Sequence, residues 1–181
     1  MKQEYINKKK VKELINKNIL SQIILKNNYK VNYVDPISLI TPNRLDIIFK
    51  ILYLEYKEVN FLLANEIYEK HIKALSFNTF KEDNKNGIED FYKSFNDLNN
   101  SVKSEGLNKS IIPISKFGSI ADGSHRVSLA FIYNLKIPTI NLEIKDQNYD
   151  YQFFVRNNFP RRLIELAIIR YSQIINQTRV L

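Results

Sequence analysis

Four stretches repeat apolar residues every three or four positions, the spacing of a helix with one buried face. Thr41 suits a cap and Pro42 a first helical position. Leu45, Ile48, Phe49, Leu52 and Tyr53 then recur at helical intervals, so a helix is expected over about residues 42–57. Asn60 caps a second helix with Leu63, Ile67, His71 and Leu75 on one face. The polar stretch 81–87, ending in Asn86-Gly87, separates it from a third. There Ile88, Phe91, Phe95, Leu98 and Val102 step by three and four, and Gly106 stands where a left-handed cap is wanted. Pro160 opens a last helix through Leu163, Leu166, Ala167 and Ile168.

Between these helices the period shortens. Val31 to Leu39 has β-favouring character that stops at Asp35-Pro36, since proline cannot donate to a ladder. Ile111–Ser115 and Ser119–Asp122 read as short strands around Lys116-Phe117-Gly118. A helix follows from Ser124 through Val127, Leu129, Ala130, Phe131 and Tyr133, and Pro138 precedes a strand over Thr139–Ile144. At the start, Lys8-Lys9-Lys10 leads into Val11, Leu14, Ile15, Ile19, Ile23 and Ile24 on one side of an expected amphipathic helix. That helix either packs on its own domain or anchors to an acidic surface. The pattern is that of an α+β chain, with no internal repeat: a basic N-terminal helical extension over 1–30 and one domain over 31–181.

Composition narrows the picture only in places. With 181 residues, 44% hydrophobic and 25% charged, the chain is long and apolar enough for one core. A net charge of +8 favours an anionic partner, although lysine is spread along the whole chain. Cysteine is absent, which excludes disulfides, thiolate ligands and a cysteine nucleophile. No apolar run reaches the length of a membrane span, and a cytoplasmic location is expected.

The chemistry concentrates in Ser119-Ile-Ala-Asp122-Gly123-Ser124-His125-Arg126. A strand ends at Asp122, Gly123 turns the backbone, and the next three residues form the first turn of a helix. First-turn amides have no intrahelical partner and the helix dipole is positive there, so a phosphate is well received. Ser124 adds a hydroxyl donor, Arg126 a bidentate fork, and His125 a donor or proton shuttle. The alternative is plain capping by Asp122 or Ser124, with Arg126 on a surface carboxylate.

The segment resembles the nucleotide-binding signature of the ParB/sulfiredoxin-like superfamily, a strand, a DGxHR-type turn and a helix. Its upstream flank, Asn100 to Gly106 and then Ile112-Pro113-Ile114, is similar to the helix, glycine and strand that precede that motif. Asn134-Leu135-Lys136-Ile137-Pro138 resembles the lead into the closing strand. The likeness covers about residues 98–144 well and Val34–Pro42 loosely. It implies a small mixed sheet of ParB/sulfiredoxin type, with a helical insertion at about 42–106 and flanking terminal helices. It also implies a bound nucleoside triphosphate, ATP or CTP, with Mg2+.

Sulfiredoxin chemistry needs a cysteine that is missing here. A ParB DNA-binding region is largely missing too, because only about forty residues follow Ile140. The free-serine-kinase-like branch is then the nearest in kind. It implies a phosphotransferase moving a phosphoryl group to a small hydroxylated metabolite, with Asp122, His125 and Asp46 as catalytic residues. Gly123, Ser124, His125, Arg126, Arg44 and Lys50 would hold the nucleotide. In that branch a glutamate follows the early proline; here the segment reads Ile40-Thr41-Pro42-Asn43-Arg44-Leu45-Asp46, and Asp46 is the nearest acid. Asp46 and Lys50, four apart, either face a shared cleft with Arg44 or form an exposed ion pair. His71, on an apolar stripe, reads as a core histidine before a ligand. No protein-bound metal site is expected beyond Mg2+ carried by phosphates. The alternative function is a non-catalytic or NTP-hydrolysing nucleotide-binding module acting through protein or DNA contacts, with nucleic acid possible but not favoured.

Overall fold

The computed structural model describes residues 3–82, 84–107 and 110–178. In chain order the elements are β1 (Tyr5–Asn7), α1 (Lys8–Leu14), α2 (Lys17–Leu20), β2 (Asn28–Lys30), β3 (Asn32–Val34), α3 (Leu45–Tyr56), α4 (Phe61–Leu75), α5 (Ile88–Glu105), β4 (Ile112–Ile114), α6 (Ser124–Ile132), β5 (Ile137–Asn141), α7 (Tyr151–Arg156) and α8 (Arg161–Thr178). A 3-10 turn over Pro36–Leu39 follows β3, started by Asp35, whose side chain accepts from the Ile37 amide. The architecture is α+β.

A three-stranded mixed sheet has β5 at its centre, antiparallel to β3 and parallel to β4. Pairing sets Tyr33 opposite Pro138 and Ile112 opposite Thr139. The parallel pair requires a crossover, and α6 supplies it. Side chains alternate between faces along a strand. Ile112 and Ile137 therefore join the larger core with α3, α4, α5, α6 and α8, whereas Ile111, Ile140 and Leu142 join a second cluster with Val11, Ile15, Ile19 and Tyr29.

Helix α3 is the axis of the larger core. All nine residues from Leu45 to Tyr53 are buried, because α4, α6 and α8 pack around it. The apolar spacing located this helix, but its start differs from expectation. Thr41-Pro42 lies before it, and Arg44 is the capping position without a side-chain cap bond. Asn60 caps α4 as expected, its Oδ1 accepting from the Leu63 amide at 3.1 Å. Gly106 ends α5 at φ +70°, its amide donating to Val102 O.

Three expectations need correction. The N-terminal stretch is not one amphipathic helix. Asn7 and Asn16 each accept from amides two or three residues on and start two separate short helices, while β1 pairs with β2. Val11, Ile15 and Ile19 are buried against the sheet, and Ile24 is exposed. Pro138 is the second residue of β5 rather than its forerunner. The stretch Ser119–Asp122 forms only an isolated bridge, Ile114 to Ile120, closed by the Ser115 amide donating to Ser119 O at 2.7 Å. Among the described residues no helix is long and apolar enough to cross a membrane.

Candidate functional site

The chain leaves the Ile120 bridge and turns at Gly123, which adopts φ +93° and ψ 25° as the capping residue of α6. Glycine is needed there twice over. The left-handed conformation disfavours a side chain, and a Cβ would collide with Ile112 Cδ1 and lie 2.9 Å from Arg126 Nη2. No side chain caps α6. Asp122 instead turns back, Oδ1 accepting from the Gly123 amide at 2.6 Å. The amides of Ser124, His125 and Arg126 consequently begin the helix without intrahelical acceptors.

A cavity of about 690 Å³ opens at this end, between α6, α5, the end of α4 and the 81–85 connection. Asp122, Ser124 and His125 line it, with Lys50 from α3 and Lys85 and Phe91 beyond. Its volume falls within the ordinary range for small-molecule sites, roughly 300–1,000 Å³. Four lysines and four carboxylates contribute to the wall among the described residues, so its charge is mixed rather than uniformly positive.

His125 is held from behind. Its ring meets Phe95 edge-on at 4.5 Å and Tyr68 at 6.1 Å. Its Nε2 lies 3.0 Å from the Tyr68 hydroxyl. Burial, and the cationic Lys50 nearby, hold the imidazole well below its ordinary pKa. His125 is therefore neutral at pH 7. Burial pushes the Tyr68 phenol well above its usual range, so it keeps its proton. The hydroxyl has two partners in reach, Phe91 O at 3.4 Å, to which it donates, and His125 Nε2, and the imidazole tautomer follows from how that one proton is placed.

Arg126 does not reach the cavity wall. Its guanidinium folds over Gly123, Nη1 donating to Ile111 O at 3.3 Å and Nη2 lying 3.5 Å from Asp122 Oδ2. It ties the turn to the strand instead of forking outward.

Arg44 and Asp46 are also sealed away, at 2% and 1% exposure. The expected polar side of α3 faces protein, because neighbouring helices close around the whole helix. Arg44 grips both Asp46 oxygens, Nε to Oδ1 at 2.8 Å and Nη2 to Oδ2 at 2.9 Å, and its Nη1 donates to Ile120 O. Burial works against the Asp46 charge, yet Arg44 and Lys50 together hold its carboxyl far below the usual range. Neither an open acid in a cleft nor an exposed ion pair describes it. Lys50 is buried too but does line the cavity; its Nζ is 3.7 Å from Asp46 Oδ2 and 3.1 Å from His71 Nε2. His71 is a fully buried core residue, as its apolar stripe suggested.

Of the residues singled out from the sequence, the structure thus brings Asp122, Ser124, His125 and Lys50 to one cavity, and leaves Gly123, Arg126, Arg44 and Asp46 behind its wall. Tyr68, Phe95 and Lys85 were not foreseen. The signal for Tyr68 was a hydroxyl-bearing ring on the apolar stripe of α4, indistinguishable in sequence from core packing. Comparisons of the chain with protein-family models, curated proteins and solved structures found no match.

Proposed function

We propose that the chain binds a nucleoside triphosphate at the start of α6 and transfers its terminal phosphoryl group to a small hydroxylated acceptor. One observation carries this reading: a helix begun by a left-handed glycine, with no side-chain cap, opens on a cavity lined by Asp122, Ser124 and His125. Unpaired amides and a hydroxyl suit phosphate oxygens, with a neutral imidazole beside them. The resemblance of Asp122-Gly123-Ser124-His125-Arg126 to the ParB/sulfiredoxin-like turn supports the same ligand.

In the transfer, an acceptor oxygen forms a bond to the terminal phosphorus while the bridging P–O bond breaks and the diphosphate departs. Asp122, half-exposed at the cavity edge, takes the hydroxyl proton. Mg2+ is held by one or two carboxylates and substrate phosphates. With Asp122 taking the proton, the cavity wall would offer Asp90 for that purpose. The ion would supply charge neutralisation on the phosphates.

The position of Arg126 and Asp46, both turned from the cavity, favours a second reading in which nucleotide binding has no chemical step and switches contacts with a partner. Thermal unfolding with ATP, CTP and GTP plus Mg2+, paired with phosphorus NMR over a panel of alcohols, amino acids and sugars, separates the two. A ligand at a hundred times its Kd stabilises by about 2.7 kcal/mol. One nucleotide is expected to raise the midpoint in the native chain and not in Ser124→Glu, whose carboxylate repels phosphate. Stabilisation without a phosphorylated product supports the second reading, and no shift with any nucleotide overturns both.

A further inference from the structure

The cavity wall includes a buried amine that phosphate binding leaves unexplained. Lys50 is 1% exposed, and its Nζ donates to the Asp46 backbone oxygen at 3.2 Å. Both carboxylate oxygens of Asp46 are already held by Arg44. The three side chains therefore carry a formal charge of +1 where little water reaches. A lysine desolvated beside a second cation loses its proton readily, and its free lone pair attacks carbonyl carbon.

His71 completes the arrangement. Its Nε2 faces Lys50 Nζ at 3.1 Å, its Nδ1 is buried with no hydrogen-bond partner, and the rings of Phe49, Tyr68 and Phe154 surround it. Burial first, then the charge of Lys50, keep this imidazole neutral. A neutral ring facing an amine is a proton acceptor within reach.

We propose that Lys50 captures a small aldehyde or ketone entering the cavity, forming an imine with His71 as the proton relay. The neutral amine forms a C–N bond to the carbonyl carbon. Both Nζ hydrogens then pass, by way of His71 Nε2, to the carbonyl oxygen, which leaves as water when the C–O bond breaks. Amine plus carbonyl gives imine plus water, with no oxidant or reductant. Burial, partly offset by Asp46 and reinforced by Arg44, places the Lys50 ammonium near a pKa of about 8. The charged and titratable groups around it are Arg44 at the cap of α3, Asp46 on α3, His71 on α4, Glu82 on the connection after α4 and His125 on α6. The capture does not rest on the nucleotide reading, since it requires neither a phosphate nor the α6 amides.

The test exposes the folded full chain at neutral pH to limiting propionaldehyde with sodium cyanoborohydride, which fixes imines, and maps the product by peptide mass. An amine titrating near 8 has roughly two-hundredfold more neutral form at pH 7 than an ordinary lysine. Allowing for restricted access, label at Lys50 is expected to exceed the average surface lysine at least about tenfold. Lys50→Arg retains the buried charge and loses the selective label. His71→Phe, which keeps the aromatic wall, slows labelling of Lys50 while surface lysines in the same sample react unchanged. Label spread over surface lysines with Lys50 unmodified overturns the proposal, as does a His71→Phe chain that labels Lys50 at the native rate. Propionaldehyde carries no phosphate, so this result is read independently of any nucleotide titration.

Discussion

Two arginine–aspartate pairs sit in adjoining parts of this molecule and behave differently. Arg44 and Asp46 meet at 2.8 Å with exposures of 2% and 1%, and Arg44 also bonds the backbone at Ile120. Arg126 and Asp122 meet at 3.5 Å with exposures of 18% and 44%, and of the two Asp122 lines the cavity. The same two residue types are closed into the core in one place and left loose at an opening in the other. Spacing along the chain says nothing about this difference. What decides it is how many elements pack over the residues that bear the pair: α3 is enclosed by three helices, whereas the start of α6 opens on the cavity.

The largest expected effect follows from the sealed pair. Asp46→Ala leaves Arg44 and Lys50 as uncompensated buried cations, and breaking a buried pair in that way costs about 3–5 kcal/mol. Asp122→Ala removes a half-exposed, weakly held partner and is expected to cost under about 1 kcal/mol. Urea denaturation of the two variants checks the contrast. Equal losses would erase the distinction between the regions.

Gly123→Ala comes next. A residue forced into the left-handed region costs about 1–3 kcal/mol, and here the added methyl also meets Ile112 and the Arg126 guanidinium. Gly87, at φ −175° and with no atom within 4 Å of where a methyl would stand, is the control, and Gly87→Ala is expected to fall well short of that loss. A Gly123→Ala chain as stable as the native one would show that the turn relaxes easily.

Lys50 gives a pH signature. Burial lowers its folded pKa to about 8, while the unfolded side chain titrates near 10.4. Below pH 8 both states are protonated and the folded state bears the full cost of the buried charge. Between the two values the unfolded state binds more protons, so stability rises with pH, by about 1 kcal/mol per unit. The readable window is pH 8 to about 9.5, below ordinary tyrosine ionisation. Denaturant midpoints for Lys50→Met are expected to lack that rise. Asp46 has a slope of the same sign in a lower window: its folded pKa is also depressed, so its contribution is present above about pH 4 and is lost on acidification.

Much of the helical frame was legible because apolar residues at three and four spacing mark a buried face, and Asn60 and Gly106 punctuate it by local chemistry that needs no tertiary context. The turn at Gly123 was legible for the same reason. The N-terminal helix was misread because Asn7 and Asn16 accept from nearby amides and start new elements inside an otherwise continuous apolar stripe. Helix α7 was missed, since six residues are too few to establish a period, although Asp150 caps it. The site was only half legible. Sequence gives the residues at the head of α6, but not that Arg126 bends back onto Ile111, because a side chain's direction follows from neighbours distant in the chain. It also placed Asp46 and Lys50 on a polar face without showing that this face meets other helices.

The smallest expected stability change sharpens the comparison from the open side. Ser124 is the first residue of α6, where the dipole is positive and no side chain caps the amides. A carboxylate there is stabilising by about 0.3–1 kcal/mol, so Ser124→Glu is expected to unfold at the same or slightly higher denaturant concentration. Salt screens that gain, and it should shrink as ionic strength rises. The sealed region cannot lose a carboxylate without a large cost, whereas the open one accepts an extra carboxylate and is strengthened by it. If Ser124→Glu proves markedly less stable than the native chain, the start of α6 is not the exposed, anion-accepting end that its geometry describes, and the contrast between the two pairs narrows to a difference of distance alone.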